Sequence, residues 1–258
     1  MSGALDGLVV VVTRPARQAA RFIGLLQQHG AQAVAFPTLA IEPVSLEPGV
    51  REALAAGAFD WIIYTSANAV AHAPPFADSR ASIAAIGRAT ARALESSGRR
   101  VAATPATGAD TEGLLAHQEF ADLAGKRMLI VKGVGGRDAL QAGLADRGAT
   151  VVAAEVYRRL PAEPVAGAIE ALDRACRRDT TVVAITSVEV LESLLALASS
   201  RVPQLLDMRL LVPGERVAEA ARRHRWRGPV VVARSAEDEA MLEALLSGPV
   251  GGSPADHA

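Results

Sequence analysis

A chain of 258 residues with 27 Lys and Arg against 28 Asp and Glu carries a formal net charge of −1, so no whole-molecule field draws it to nucleic acid or an anionic membrane. An anionic ligand would have to be met by a local cluster of cations. Half the residues are hydrophobic, enough for ordinary packed cores, and the single cysteine, Cys176, excludes both an intramolecular disulfide and a cysteine-based zinc site.

The chain opens MSGALDGLVVVVTRP, where an acid precedes a short apolar run. Leu8 to Thr13 therefore reads as a buried strand and not as a signal peptide. No segment approaches the roughly 18 uninterrupted apolar residues of a membrane span, and cytoplasmic residence is expected. Further strand-like runs follow at Trp61 to Thr65, Ser82 to Ile86, Arg127 to Lys132, Thr181 to Thr186, Arg209 to Val212 and Pro229 to Ala233. They lack polar alternation and are separated by Ala- and Leu-rich helical stretches, the pattern of an α/β protein whose parallel sheets are covered on both faces. The last dozen residues read as a loose tail.

The chain also repeats itself. Val9 to Val34 resembles Met128 to Val152, with Gly30-Ala31 answered by Gly148-Ala149 at an offset of 118. Thr65-Ser66 is answered by Thr186-Ser187 at 121, Ala85 to Gly98 by Leu211 to His224, and Gly108 to Ala116 by Ser235 to Leu245. Two proline-punctuated extended connectors, Phe36 to Pro48 and Tyr157 to Pro164, follow the same point of each repeat. Tandem domains need one linker, so two equivalent connectors imply a chain that crosses between lobes twice. The boundaries expected are 1–37 with 163–248 for the first lobe, 45–155 for the second, 38–44 and 156–162 for the crossings, and 249–258 for the tail.

Several residues fall where strands hand over to helices. Ser66 and Ser187 suit helix N-capping, and a hydroxyl at the carboxyl end of a parallel strand also faces the crevice in which such sheets bind anions. Lys132 to Asp138, KGVGGRD, is a glycine-rich strand-to-helix turn. Gly133, Gly135 and Glu155 half-match a dinucleotide fingerprint, but Asp138 stands where the third glycine belongs and brings negative charge to the phosphate end. A turn presenting backbone N–H groups, Lys132 and Arg137 to another anion is the competing view. Arg14, Arg88 and the Arg158-Arg159 pair also lie at strand ends or crossings. As single residues each suits a solvated surface; lining one cleft, they would grip carboxylates. His29, His72, His117, His224 and His257 show no metal-ligand spacing, and no metal is expected.

Taken together, VTRP (Val12 to Pro15), the FP-x-x-x-I-E-P connector (Phe36 to Pro43), DWIIYTSANAV (Asp60 to Val70), AIGRATARAL (Ala85 to Leu94), GADTEGLL (Gly108 to Leu115), KGVGGRDAL, RGATV, VYRR and ITS (Ile185 to Ser187) resemble the uroporphyrinogen-III synthase family. The likeness runs from about residue 8 to 246. It implies two similar flavodoxin-like lobes joined by a two-stranded linker, with the active site in the cleft between them. It also implies a lyase, acting without metal or organic cofactor, that closes hydroxymethylbilane with inversion of ring D and loss of water. The substrate's hydroxyl would leave with protonation, pushed by pyrrole nitrogen, to give an azafulvene. Attack by the substituted carbon of the last ring would then form a spiro intermediate, whose fragmentation and recombination invert that ring.

Carried over by resemblance, Tyr157 of VYRR is the candidate proton donor and Thr90 of GRAT a hydroxyl opening a helix in the cleft. Arg14, Ser66, Asn68, Arg88, Lys132, Gly135, Gly136, Arg137, Ser187 and Arg216 are candidate substrate-binding residues. Arg216 stands where relatives often carry hydroxyls, with Glu215 an unwelcome neighbour. A monomer is implied, with hydroxymethylbilane handed over by its synthase and no nucleic-acid or membrane partner. Two alternatives stay open: a non-catalytic ligand-binding or regulatory protein on the same fold, and a nucleotide-dependent enzyme using the Gly133 turn.

Overall fold

A computed structural model of the chain describes residues 3–75, 80–105, 111–136 and 138–247. The chain divides into two compact units, one formed by the residues up to Ala40 and those from Leu160 onward, the other by Ile41 to Arg159.

The first unit begins with strand β1 (Val9–Val12), helix α1 (Ala16–Gln28) and strand β2 (Gln32–Ala35), before β3 (Leu39–Pro43) leads away. The second unit continues with α2 (Pro48–Ala56), β4 (Trp61–Tyr64), α3 (Ala67–His72), β5 (Ser82–Ala85), α4 (Arg88–Ser96), α5 (Thr111–Leu115), β6 (Arg127–Gly133) and α6 (Ala139–Ala145). The twelve-residue strand β7 (Thr150–Pro161) carries the chain back. The first unit is then completed by α7 (Ala168–Cys176), β8 (Thr181–Ala184), α8 (Val188–Ala198), β9 (Arg209–Val212), α9 (Glu215–Arg223), β10 (Val230–Val232) and α10 (Asp238–Ser247).

The sheet of the first unit has the order β10-β9-β8-β1-β2, every pairing parallel. Read by succession along the chain this is the 2-1-3-4-5 order of doubly wound sheets. Its strands are buried on both faces, which is why they read as unbroken valine and leucine runs. Val9, Val11, Val183, Leu210 and Val212 meet Leu172 of α7, Leu191 and Leu194 of α8 and Val217 of α9. Val10, Val12, Val182, Ala184 and Leu211 point the opposite way, onto Phe22 and Leu26 of α1 and Met241 and Leu245 of α10.

The sheet of the second unit runs β3-β7-β6-β4-β5, and a parallel bridge between Ala84 and Ala103 extends it beyond β5. Strands β7, β6, β4 and β5 are parallel. From β7 to the Ala103 bridge the order therefore matches that of the first unit from β2 to β10. Ile62, Tyr64, Leu129 and Val131 pack with Ala69 of α3 and Leu94 of α4; Trp61, Ile63, Met128 and Ile130 pack with Leu114, Phe120, Leu140 and Leu144.

The two expected connectors are strands. Val44 N–H donates to the Val156 carbonyl at 3.1 Å and Ala162 N–H to the Thr38 carbonyl at 2.9 Å. Numbers rise along β3 as they fall along β7, so these neighbours are antiparallel. No helix among the described residues is long and apolar enough to cross a membrane.

Candidate functional site

In a parallel sheet the carboxyl ends of the strands lie along one edge, where ligands bind in open α/β folds. In the second unit that edge gathers the ends of β4, β5, β6 and the turn of β7, and with them most of the candidate residues.

Tyr157 is at its centre. The register between β6 and β7 slips here: Lys132 is opposite Glu155, but Gly133 is opposite Tyr157, leaving Val156 as the extra residue of a bulge. Bulges re-aim side chains, and this one lays the phenol ring across Gly133. A Cβ on Gly133 would come within 2.6 Å of the Tyr157 Cζ, so the glycine is required by the ring. Val134 N–H closes the turn on the Tyr157 carbonyl at 2.7 Å.

Among the described residues the phenol oxygen has two hydrogen-bond neighbours. Arg159 Nη2 donates to it at 3.0 Å, and Ser66 Oγ lies 3.0 Å away. Arginine only donates, so the phenol oxygen accepts from it, and in the contact with Ser66 either hydroxyl can be the donor. Ser66 is the N-cap of α3 and accepts from Ala69 N–H at 3.0 Å; Thr65 beside it donates to the Val131 carbonyl at 3.3 Å. Capping and presentation at the strand edge are thus both properties of Ser66. The Arg159 guanidinium also sits 5.5 Å from the centroid of the Tyr157 ring, and His72 approaches the ring with centroids 6.1 Å apart. Tyr157 is 1% exposed although Arg159 is exposed.

Around this cluster, Thr90 is buried in the first turn of α4, Arg88 is exposed at its start, and Asn68 is half-buried on α3. Lys132 lies 3.6 Å from Asp138, so the acid in the glycine turn partners the lysine. Gly135 and Gly136 have φ of 73° and 89°, successive left-handed positions that favour glycine. Glu155 accepts from Gly135 N–H at 3.1 Å. The carboxylate that a dinucleotide would need for its ribose is thereby engaged on the turn itself. Arg137, and Gly108 to Asp110 of the GADTEGLL motif, lie outside the described residues.

The corresponding edge of the first unit differs. Ser187 caps α8, accepting from Val190 N–H at 3.2 Å with backbone angles within a few degrees of those of Ser66. Arg216 is exposed in the first turn of α9, and the neighbouring Glu215 accepts from Arg222 at 2.6 Å on the same helix. Arg14, expected to meet a ligand carboxylate, is 8% exposed and turned inward: it pairs with Asp238, donates to the Ala236 carbonyl at 2.8 Å and lies over the Phe22 ring. Arg21 reaches the other oxygen of Asp238 at 2.9 Å. The Arg14 guanidinium is spent on fastening α1 to α10, which corrects the expectation. Cys176 is buried, and desolvation with the charge of Asp173 pushes its thiol up to about 12, as an unreactive packing residue requires.

Arg159 and Gly133, read from the sequence only as a connector cation and as part of a glycine-rich turn, are the residues the structure sets against Tyr157. A signal for the first existed, since residues i and i+2 of a strand share a face and Arg159 follows Tyr157 by two. Arg158, on the other face, pairs with Glu42 of β3 at 3.0 Å.

Comparison with known proteins identifies the family. The family described as "Uroporphyrinogen-III synthase HemD" matches residues 20–243. The uroporphyrinogen-III synthase of Escherichia coli K12 is 36% identical over 250 residues, covering 92% of this chain and 99% of the relative. That of Salmonella typhimurium LT2 is 35% identical over 246 residues, with the same shares covered. Among solved structures, uroporphyrinogen-III synthetase from Helicobacter pylori 26695 superposes with a TM-score of 0.58 at 17% identity, covering 93% of this chain and 99% of that one. A mutant uroporphyrinogen III synthase from Thermus thermophilus gives 0.56 at 23%, covering 93% and 97%. The structures attest the α/β fold and the sequences the kinship: the chain belongs to the uroporphyrinogen-III synthase family.

Proposed function

We propose that this chain is the lyase that closes hydroxymethylbilane to uroporphyrinogen III, inverting ring D and releasing water, in tetrapyrrole biosynthesis. The family match over most of the chain supports it, and neither a purely regulatory protein nor a nucleotide-dependent enzyme is favoured. The observation that carries the site is the Tyr157 hydroxyl, held between Ser66 and Arg159 at the carboxyl edge of the second unit's sheet.

In this mechanism Tyr157 gives its proton to the departing hydroxyl of the substrate, which leaves as water while a pyrrole nitrogen supplies the electron pair. Arg159 faces the phenolate so formed. The substituted carbon of the last ring attacks the azafulvene, the spiro intermediate fragments and recombines, and the proton lost as the macrocycle closes restores the phenol. Atoms balance with loss of one water. Closure without inversion also occurs spontaneously, so the protein's main work is to hold the chain in the productive shape. Ser66, Asn68, Arg88, Thr90, Lys132, Gly135 and Gly136 surround the reacting end, with Arg137 part of the same turn in sequence. Ser187 and Arg216 are the first unit's contribution. Arg14 has a structural role instead.

The finer organisation belongs to the same proposal. Two lobes arisen by duplication, crossed at 38–44 and 156–162, are supported by the shared strand order and by the antiparallel pairing of β3 with β7. A cytoplasmic monomer receiving its unstable substrate from hydroxymethylbilane synthase completes it.

A coupled assay tests the function. Hydroxymethylbilane is generated in situ with this protein present, and the oxidised products are separated into type I and type III isomers. Predominant type III is expected. Type I alone, at the rate of the protein-free control, would remove the activity and leave a binding role.

A further inference from the structure

In a dinucleotide-binding turn the carboxylate about 20 residues further on reaches out to the ribose. Glu155, 20 residues beyond Gly135, turns back instead and accepts from the Gly135 N–H at 3.1 Å. We infer that Glu155 is a positioning residue for ring closure: its carboxylate fixes the glycine turn in the shape that the substrate meets beside Tyr157. This rests on the reading of the chain as the lyase proposed above.

Three features point to it. The turn is fastened to β7 at two successive residues, Val134 N–H on the Tyr157 carbonyl at 2.7 Å and Gly135 N–H on Glu155, and of these bonds the second is the one made by a side chain. Gly135 and Gly136 have φ of 73° and 89°. Glycine populates positive and negative φ about equally, so a Gly-Gly pair has many shapes to choose from, and the Glu155 bond selects one of them. What is held in place bears directly on the reaction: Gly133 lies under the Tyr157 ring, Lys132 is opposite Glu155 in the β6–β7 register, and Val134 presents an apolar side chain that is 47% exposed. An enzyme that works by holding its substrate in one shape loses rate when such a surface shifts, even where the reacting groups are intact. The phenol keeps Ser66 and Arg159 as its own neighbours, so loosening the turn acts on capture of the substrate more than on transfer of the proton.

The test compares three variants. Glu155→Ala is expected to raise the KM for hydroxymethylbilane roughly tenfold with a smaller fall in kcat, both read from the type III product so that spontaneous closure is not counted. Glu155→Gln should bring KM back to within about twofold of the parent, because an amide oxygen accepts the same N–H without the charge. Glu155→Asp keeps the charge but is one methylene short, and should stay as impaired as the alanine variant. The turn itself is read by amide exchange. Labelling with 13C-carbonyl valine and 15N-glycine selects the two Val-Gly pairs of the chain, Val134-Gly135 and Val250-Gly251, and Val134→Ile identifies the first by removing it. The Gly135 amide should exchange slowly in the parent and in Glu155→Gln, and roughly tenfold faster in Glu155→Ala and Glu155→Asp. Thermal melts check that the variants fold, and the glutamine and aspartate pair carries the test if the alanine variant does not.

An unchanged KM in Glu155→Ala, with the Gly135 amide exchanging faster, would overturn the inference, since the turn would then be loosened at no cost to the substrate. So would a Glu155→Gln enzyme as impaired as Glu155→Ala, which would make the charge and not the hydrogen bond the working part, or a Gly135 amide that exchanges at one rate in every variant. A parent chain that yields type I alone while its Gly135 amide follows the expected pattern would instead sink the lyase reading, and the role of Glu155 in closure with it.

Discussion

The two units share one strand order but spend their strand-end side chains differently. At an offset of 118 residues Lys132 answers Arg14, and Tyr157 answers Leu39. In the first unit the basic residue is locked to Asp238 beneath the edge and the Leu39 side chain packs into the core. In the second unit the basic residue stays near the glycine turn, 3.6 Å from an exposed aspartate, and the phenol is turned by a bulge towards Ser66 and Arg159. One edge spends its basic residue on cohesion, and the other keeps it beside the glycine turn. Equivalent backbone positions fix where a strand ends; the partner a side chain meets there decides what the end does.

The sharpest way to break this contrast is to undo the cohesion of the first unit. Asp238 is 8% exposed and accepts from both Arg14 and Arg21. Asp238→Asn leaves the Arg14 charge buried without its counter-ion, a loss of about 3–5 kcal/mol. Urea denaturation should show that loss, while the isomer ratio made by the remaining folded enzyme stays predominantly type III. A shift towards type I in folded Asp238→Asn would mean that Arg14 does more than hold α1 to α10.

The matching test in the second unit is Gly133→Ala. The added methyl carbon falls 2.6 Å from the Tyr157 Cζ, and a ring with 1% exposure has nowhere to go. Overpacking of this kind costs about 1–3 kcal/mol. It also displaces the phenol oxygen from Ser66 and Arg159, so turnover should fall by more than the stability loss explains when both are measured at a temperature where the variant is folded. Unchanged turnover would show that the ring position is not critical.

How much of this was legible in the sequence follows from the range of each interaction. All seven strand runs read from β-branched residues are strands, because burial on both faces removes polar residues locally. Ser66, Ser187, Lys132 and the glycine turn could be placed at strand ends because a strand-to-helix handover is written in neighbouring residues. The far end of β7 and its partner β3 were visible only as extended, proline-marked connectors; what makes them strands is pairing between segments over 100 residues apart. Arg14 was misread for the same reason, since Asp238 lies 224 residues further on and one arginine at a strand end looks like any other. Gly133 was noticed as half of a fingerprint, and its true reason, the ring of Tyr157, depends on a one-residue bulge that no local pattern announces.

The smallest expected effect separates the two edges most cleanly. Ser66 and Ser187 cap α3 and α8 in the same way, accepting from the N–H three residues on at 3.0 and 3.2 Å. Replacing either by alanine removes a cap worth about 1 kcal/mol, so Ser66→Ala and Ser187→Ala should lower stability by similar amounts in denaturant. Their effects on turnover should differ. Ser66→Ala also takes away the hydroxyl 3.0 Å from the Tyr157 phenol, and a phenol no longer held in place is a poorer donor; a fall of roughly tenfold in kcat is expected. Ser187 is not hydrogen-bonded to a phenol among the described residues, and its alanine variant should change KM more than kcat, since what it offers is a hydroxyl and the N–H groups of a helix start. Equal losses of kcat from both would mean that capping alone explains Ser66, and the chemistry assigned to the second unit's edge would then have to rest on Tyr157 and Arg159 without it.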